Sequence, residues 1–267
     1  MNYLYDESFE GFLTCVYHHW YTEKAEGIFP ESLYQLDLCR YATTADTDEE
    51  KAARVLEAIA SKISKWDAQR IYQVFCSNEP EKEMKLLRYI AFGFRHGPKI
   101  RLMHGDPVVK AVEAAERRVG CEAHRLTGLI RFSEVLNVND GNMLLYAKIE
   151  PDNDVLEFLA EHFSDRFKSE PVVIHDLRRG KALFAYNRKW EIAGLPADVL
   201  GKKYSDADAG AGSGQAPRLE FSSRERDYSA LWKQYFEVMA TRERINPGCQ
   251  RQFMPARYWK HLTELNG

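Results

Sequence analysis

Apolar positions in the first two fifths of the chain recur with a helical period. Phe9, Phe12, Leu13, Val16, Tyr17 and Trp20 fall at i, i+3, i+4, i+7, i+8 and i+11, one stripe of a helix. Ala52, Val55, Leu56, Ile59 and Ile63 repeat the pattern behind the acidic run Asp46–Glu50, which suits a helix N-terminus. Short helices are expected around 67–77 and 81–94. Asp106-Pro107 supplies an N-cap and a first-turn proline, Val108, Val112, Ala115 and Val119 then share one face, and Gly120 is expected to close that helix.

The period then changes. Leu126–Val135 and Met143–Ile149 read as strands joined by the turn-rich Asn137-Val-Asn-Asp-Gly-Asn142. Asp152–Lys168 returns to helical spacing through Leu156, Leu159, Phe163 and Phe167, and Pro171–Leu177 and Lys181–Trp190 are again strands, linked by Arg178-Arg-Gly180. Residues 205–217, rich in Gly, Ala, Asp and Ser, read as a flexible loop. A last helix carries Tyr228, Leu231, Trp232, Tyr235, Phe236 and Met239 on one face. The expected fold is α+β: a mainly helical region 1–125, a central ββαββ antiparallel sheet unit over 126–204, the loop 205–217, and a C-terminal helix and tail over 218–267, together forming one compact unit.

At 267 residues the chain has ample core for one large or two modest domains. It has no apolar run of membrane-spanning length, and Met1-Asn-Tyr-Leu-Tyr-Asp lacks the regions of a signal peptide. Five scattered cysteines without a Cys-x-x-Cys argue for a reducing, cytoplasmic setting and against a disulfide framework, a zinc ribbon or an iron–sulfur cluster. The net charge of −3 hides an alternation. Residues 1–84 carry 8 basic and 16 acidic side chains, 85–131 carry 10 and 4, 132–223 carry 11 and 15, and 224–267 carry 8 and 5. Two basic segments among acidic ones allow a basic face on an acidic protein, although ordinary drift in solvated charge gives the same numbers.

Four places could carry chemistry. The turn Arg178-Arg179-Gly180-Lys181 sets three cations on one tip, expected to project from the core and suited to neutralising phosphates; a solvated polar turn is the plain alternative. The loop 92–106 holds Arg95, His96, Lys99, Arg101 and His104 around two glycines and a proline, a candidate anion site, although Asp106 occupies the following helix cap. His175-Asp176 is the one place for acid–base work, but neighbouring strand residues point to opposite faces, and Asp176 could instead orient the arginine tip. Arg244, Asn246, Gln250, Arg251, Arg257, Tyr258, Trp259 and Lys260 place donors and flat rings in one tail, the mixture that meets phosphates and stacks on bases. There Pro247-Gly248 is expected to break the preceding helix, with an ordered loop following. The chain has no Walker A loop, dinucleotide fingerprint, nucleophile elbow or His-Glu-x-x-His. Neither a metal nor a cofactor is expected in this chain.

Three blocks in this order carry a resemblance: Tyr5-Asp-Glu-Ser-Phe-Glu-Gly-Phe-Leu13, His175-Asp-Leu-Arg-Arg-Gly-Lys-Ala182, and Arg244-Ile-Asn246 with Met254-Pro-Ala-Arg-Tyr-Trp259. The chain resembles, over nearly its whole length, a bacterial family described as DNA-repair or DNA-metabolism proteins. Its members are often paired with a radical SAM protein, and many are fused to a uracil-DNA-glycosylase-like domain. A chain ending at Gly267 reads as the stand-alone form. The family assigns no catalytic residues, so the resemblance carries none over. It implies DNA, a radical SAM protein and a uracil-DNA-glycosylase-like protein as partners. The expected function is a DNA-binding accessory role in repair or base modification. A DNA-processing hydrolase (nuclease or base-processing enzyme) using His175, Asp176 or a histidine of the 96–104 loop, or a scaffold for an acidic protein, are the alternatives, and whether the chain is catalytic stays open.

Overall fold

Strand formation begins earlier than the periodicity suggests. In the computed structural model, which describes residues 1–35, 41–139, 141–200, 219–240 and 246–265, the chain divides into two compact units, Met1–Gly120 and Cys121–Gly267. The division falls at Gly120, where the sequence reading sets a boundary at 125. Cys39, the 205–217 loop and Arg244 lie outside the described residues.

The first unit is not purely helical. β1 (Asn2–Tyr5), β2 (Gly27–Pro30) and β3 (Ala42–Thr44) form a parallel sheet in the order β2-β1-β3. α1 (Phe9–Tyr21) returns the chain between β1 and β2, as a parallel pair requires. Strands of three or four residues are too short to show a period of two, which is why the sequence pattern misses them. α2 (Glu49–Lys62), α3 (Lys65–Phe75) and α4 (Lys82–His96) follow. Ser8, Asp48 and Ser64 cap α1, α2 and α3 by accepting from the backbone N–H three residues on. The core of this unit gathers Tyr5, Phe12, Val16, Ile59, Ile71, Leu86 and Ile90. Cys15 lies inside it, where burial pushes its thiol up to about 12.

α5 runs Pro107–Leu129, through the expected stop at Gly120. A helical glycine costs only about 1 kcal/mol relative to alanine. Val119, Ala123 and Leu126 continue the buried stripe of Val109, Val112 and Ala115, so packing outweighs that cost. The strand expected from Leu126 therefore begins at Ser133.

The second unit holds β4 (Ser133–Asn137), β5 (Met143–Ile149), α6 (Leu156–Arg166), β6 (Val172–Asp176), β7 (Lys181–Tyr186), β8 (Lys189–Gly194) and β9 (Leu219–Phe221). The order β8-β7-β6-β5-β4-β9 makes one six-stranded sheet. α+β is the class observed, but the sheet is mixed and larger than an antiparallel ββαββ unit. α6 lies between β5 and β6, and a helical crossover brings the next strand back parallel to the first. The remaining neighbours pair antiparallel. The expected strand Lys181–Trp190 is a hairpin, turned at Asn187 and Arg188 with φ of 50° and 62°. Both residues adopt the positive φ of a type I′ turn, which Arg188 does at a steric cost. Arg188→Gly is expected to stabilise the protein by about 0.5–1 kcal/mol in urea unfolding.

α7 (Glu225–Met239), α8 (Pro247–Phe253) and a 3-10 helix, Ala256–His261, complete the chain. Pro247 starts α8 rather than a loop, because Asn246 caps it by accepting from the Cys249 N–H at 3.0 Å.

Candidate functional site

β5 and β6 run parallel and end side by side, with Ile149 paired to Asp176. In open α/β sheets the crevice beyond the carboxyl ends of parallel strands takes ligands. Here it is filled by charge drawn from four stretches of the second unit.

Asp176, fully buried, organises the 178–181 turn. Its Oδ1 accepts from the N–H groups of Arg178 at 3.0 Å and Arg179 at 3.3 Å, and its Oδ2 takes Nη1 of Arg179 at 2.8 Å. Gly180, at φ 61°, lets the chain reverse into β7. The tip does not project its cations freely. Arg179 also donates to the carbonyls of Pro151 at 3.2 Å and Asp152 at 2.6 Å. Arg178 donates to Asp152 Oδ1 at 3.0 Å, and Lys181 pairs with Asp154. The physical reason is the 150–154 loop leaving β5, whose carboxylates lie opposite the tip and draw it inward.

The C-terminal tail reaches the same loop. Arg257 donates to Glu122 Oε1 at 2.9 Å and pairs through Nη1 with Asp152 Oδ2. Tyr258, buried, donates to Glu122, and Lys260 reaches Glu150 at 2.6 Å. Glu122, on α5, also accepts from Asp152 N at 3.0 Å, Asn153 N at 2.8 Å and Asn153 Nδ2 at 2.6 Å. Burial alone would raise its carboxyl, but the bonds from Tyr258, Asp152 and Asn153 hold it below the ordinary glutamate value. Burial likewise opposes the charge of Arg257, but Tyr258, Asp152 and Glu122 win and raise it.

Arg178 and Arg257 thus hold the two oxygens of one carboxylate, Asp152, from segments almost eighty residues apart. Their side chains are 54% and 43% exposed, so both guanidiniums reach solvent while staying oriented. Guanidinium forks in this setting suit an oxyanion such as phosphate.

The other expected residues fall elsewhere. His175 is fully buried, with Nδ1 2.7 Å from the Tyr146 hydroxyl and Nε2 3.0 Å from the Leu195 carbonyl. A carbonyl only accepts, so Nε2 carries the proton and the tyrosine donates to Nδ1. Burial lowers the His175 value, which keeps the ring neutral. Both nitrogens are engaged and away from solvent. Arg95, Lys99 and Arg101 belong to the first unit, while the tip and tail belong to the second. Arg95 lies in the last turn of α4, and Lys99 and Arg101 lie in a 3-10 helix, Gly97–Leu102, with Arg101 5.7 Å over the Trp66 ring. Asn246 serves as a cap, Gln250 is half-buried, Arg251 is exposed, and the Trp259 indole donates to the Met254 carbonyl at 2.8 Å.

Glu122, Glu150, Asp152, Asn153 and Asp154 are the residues that sequence reasoning missed. The one available signal was Asp152-Asn-Asp154, an acidic turn directly after a strand; Glu122 gives none. Among the described residues, no three His, Cys, Asp or Glu side chains are grouped to hold a metal ion, and none of the described helices is long and apolar enough to cross a membrane.

Residues 80–264 match the family model described as a domain of unknown function, DUF4130. That span takes in every residue of the cluster. No curated protein and no solved structure matches the chain.

Proposed function

The chain belongs to the DUF4130 family, and we propose that it serves as a DNA-binding accessory protein in repair or base modification. The observation that supports this reading is the shared grip of Arg178 and Arg257 on Asp152. The arginine tip and the basic tail meet at one solvent-facing point, where a phosphate displacing Asp152 meets guanidiniums that are already ordered and lose little further freedom. Arg179, Lys181 and Lys260 surround it. Assignment of the redox chemistry to a radical SAM partner, and of base release to a uracil-DNA-glycosylase-like protein, rests on the sequence resemblance alone. A hydrolytic role for His175 or Asp176 draws no support from their burial and complete hydrogen bonding.

The test is a fluorescence-anisotropy titration of the whole chain with single- and double-stranded DNA over a salt series. Arg178→Glu is expected to weaken binding roughly tenfold, and Arg178→Glu with Arg257→Glu about a hundredfold, with a shallower salt dependence. Arg178 is the more exposed of the two, and circular dichroism verifies that the single variant keeps its fold. Absence of DNA binding at low salt would sink the proposal, and capture of an acidic protein by the same face would replace it with the scaffold role.

A further inference from the structure

α7 buries none of its fifteen residues, and its apolar stripe is left open. Tyr228, Leu231, Trp232, Tyr235, Phe236 and Met239 are all exposed. Between this stripe and the entry to β4 lies a groove of about 660 Å³, lined by Phe132, Arg166, Tyr228, Leu231, Trp232 and Tyr235.

The groove carries a fixed ring rather than a loose apolar surface. Glu264, whose side chain is 1% exposed, accepts from Arg131 Nη2 at 2.7 Å and Nε at 3.2 Å, and from the Trp232 indole N–H at 3.0 Å. These bonds hold the carboxyl below its ordinary value although burial opposes them. The Arg131 guanidinium lies 5.5 Å over the Trp232 ring. Tyr235 lies nearly parallel to that ring, centroids 5.7 Å apart at 27°. Arg166 stands exposed at the rim, 5.7 Å over Phe167.

We infer that this groove is a stacking site for the unpaired bases of single-stranded nucleic acid. The inference rests on the DNA-binding reading above and names a second contact surface for it. Four of the six stripe residues are aromatic, and exposed rings of this kind receive the flat face of any base. The Arg131 charge is matched by Glu264, whereas Arg166 presents a cation at the rim where a backbone phosphate of a stacked strand would pass.

The experiment compares labelled oligo(dT) with an abasic strand of equal length, using the full chain. The wild-type protein is expected to bind oligo(dT) more tightly than the abasic strand. Trp232→Ala with Tyr235→Ala is expected to weaken oligo(dT) binding by roughly ten- to a hundredfold, leaving abasic affinity and salt dependence unchanged; Trp232→Phe recovers most of the loss. Equal wild-type affinity for the two strands, or an unchanged double variant, would overturn the stacking site while leaving DNA binding standing. Failure of the wild-type protein to bind either strand would overturn both. A dimer seen by light scattering and lost in the double variant, with oligo(dT) affinity unaltered, would assign the groove to a second copy of the chain instead.

Discussion

Glu122→Ala is expected to destabilise the protein by about 3–5 kcal/mol, as removal of one member of a buried ion pair does. The side chain is nearly inaccessible and collects donors from two backbone N–H groups, Asn153, Tyr258 and Arg257. Alanine leaves these groups buried without their acceptor, and the Arg257 charge keeps only Asp152. Glu122→Gln preserves the shape and part of the bonding, so a smaller loss is expected. The two variants also separate in their response to acid. The folded-state value of Glu122 lies below the unfolded one, so its contribution is fully present above the ordinary glutamate value and fades as pH falls through the folded value. Glu122→Gln should therefore lack that part of the acid dependence. Urea unfolding followed by tryptophan fluorescence, at neutral and acid pH, measures both effects. A loss below about 1 kcal/mol for Glu122→Ala would show that the network does not hold the tail.

His175→Ala is expected to cost a further and independent amount, about 3–5 kcal/mol, by a different route. The variant opens a cavity beneath β6 and strands both the Tyr146 hydroxyl and the Leu195 carbonyl without partners. Because burial lowers the folded value of His175, the unfolded chain binds its proton first as pH falls. Stability tied to the neutral ring is therefore present above the ordinary histidine value and declines as pH drops below it. The decisive comparison is between stability and binding. His175→Ala is expected to lower the urea midpoint while DNA affinity, measured where the protein stays folded, is unchanged. A variant with unaltered stability and lost function would return His175 to the acid–base role that the sequence first suggested.

The difference between those two roles shows where the sequence was legible. His175-Asp176 stood out as a chemical pair, and the expectation that Asp176 could orient the arginine tip holds, whereas only the tertiary structure reveals that the His175 ring closes a core contact. The arginine tip and the Arg257-Tyr258 tail were visible as basic segments because their composition is local. Their meeting was not visible, since it runs through Glu122 and Asp152, single acids whose spacing signals nothing.

The same division holds for the fold. Helices α1 and α2 and the N-terminal start of α5 were readable because a helix bonds within itself and writes its buried face at a period near four residues. Strands β1 to β3 were not, because each is only three or four residues long and gains its hydrogen bonds from chain far away. Passage of α5 through Gly120 was settled by the buried stripe on either side, which outweighs one unfavourable residue. What the sequence determined by itself was the longer helices, the Asp106 cap of α5 and the basic composition of the tip and the tail. What the tertiary structure decided was strand direction, the pairing of the tip and tail cations with carboxylates, and the exposure of the α7 stripe, because each depends on partners that become neighbours only when the chain folds.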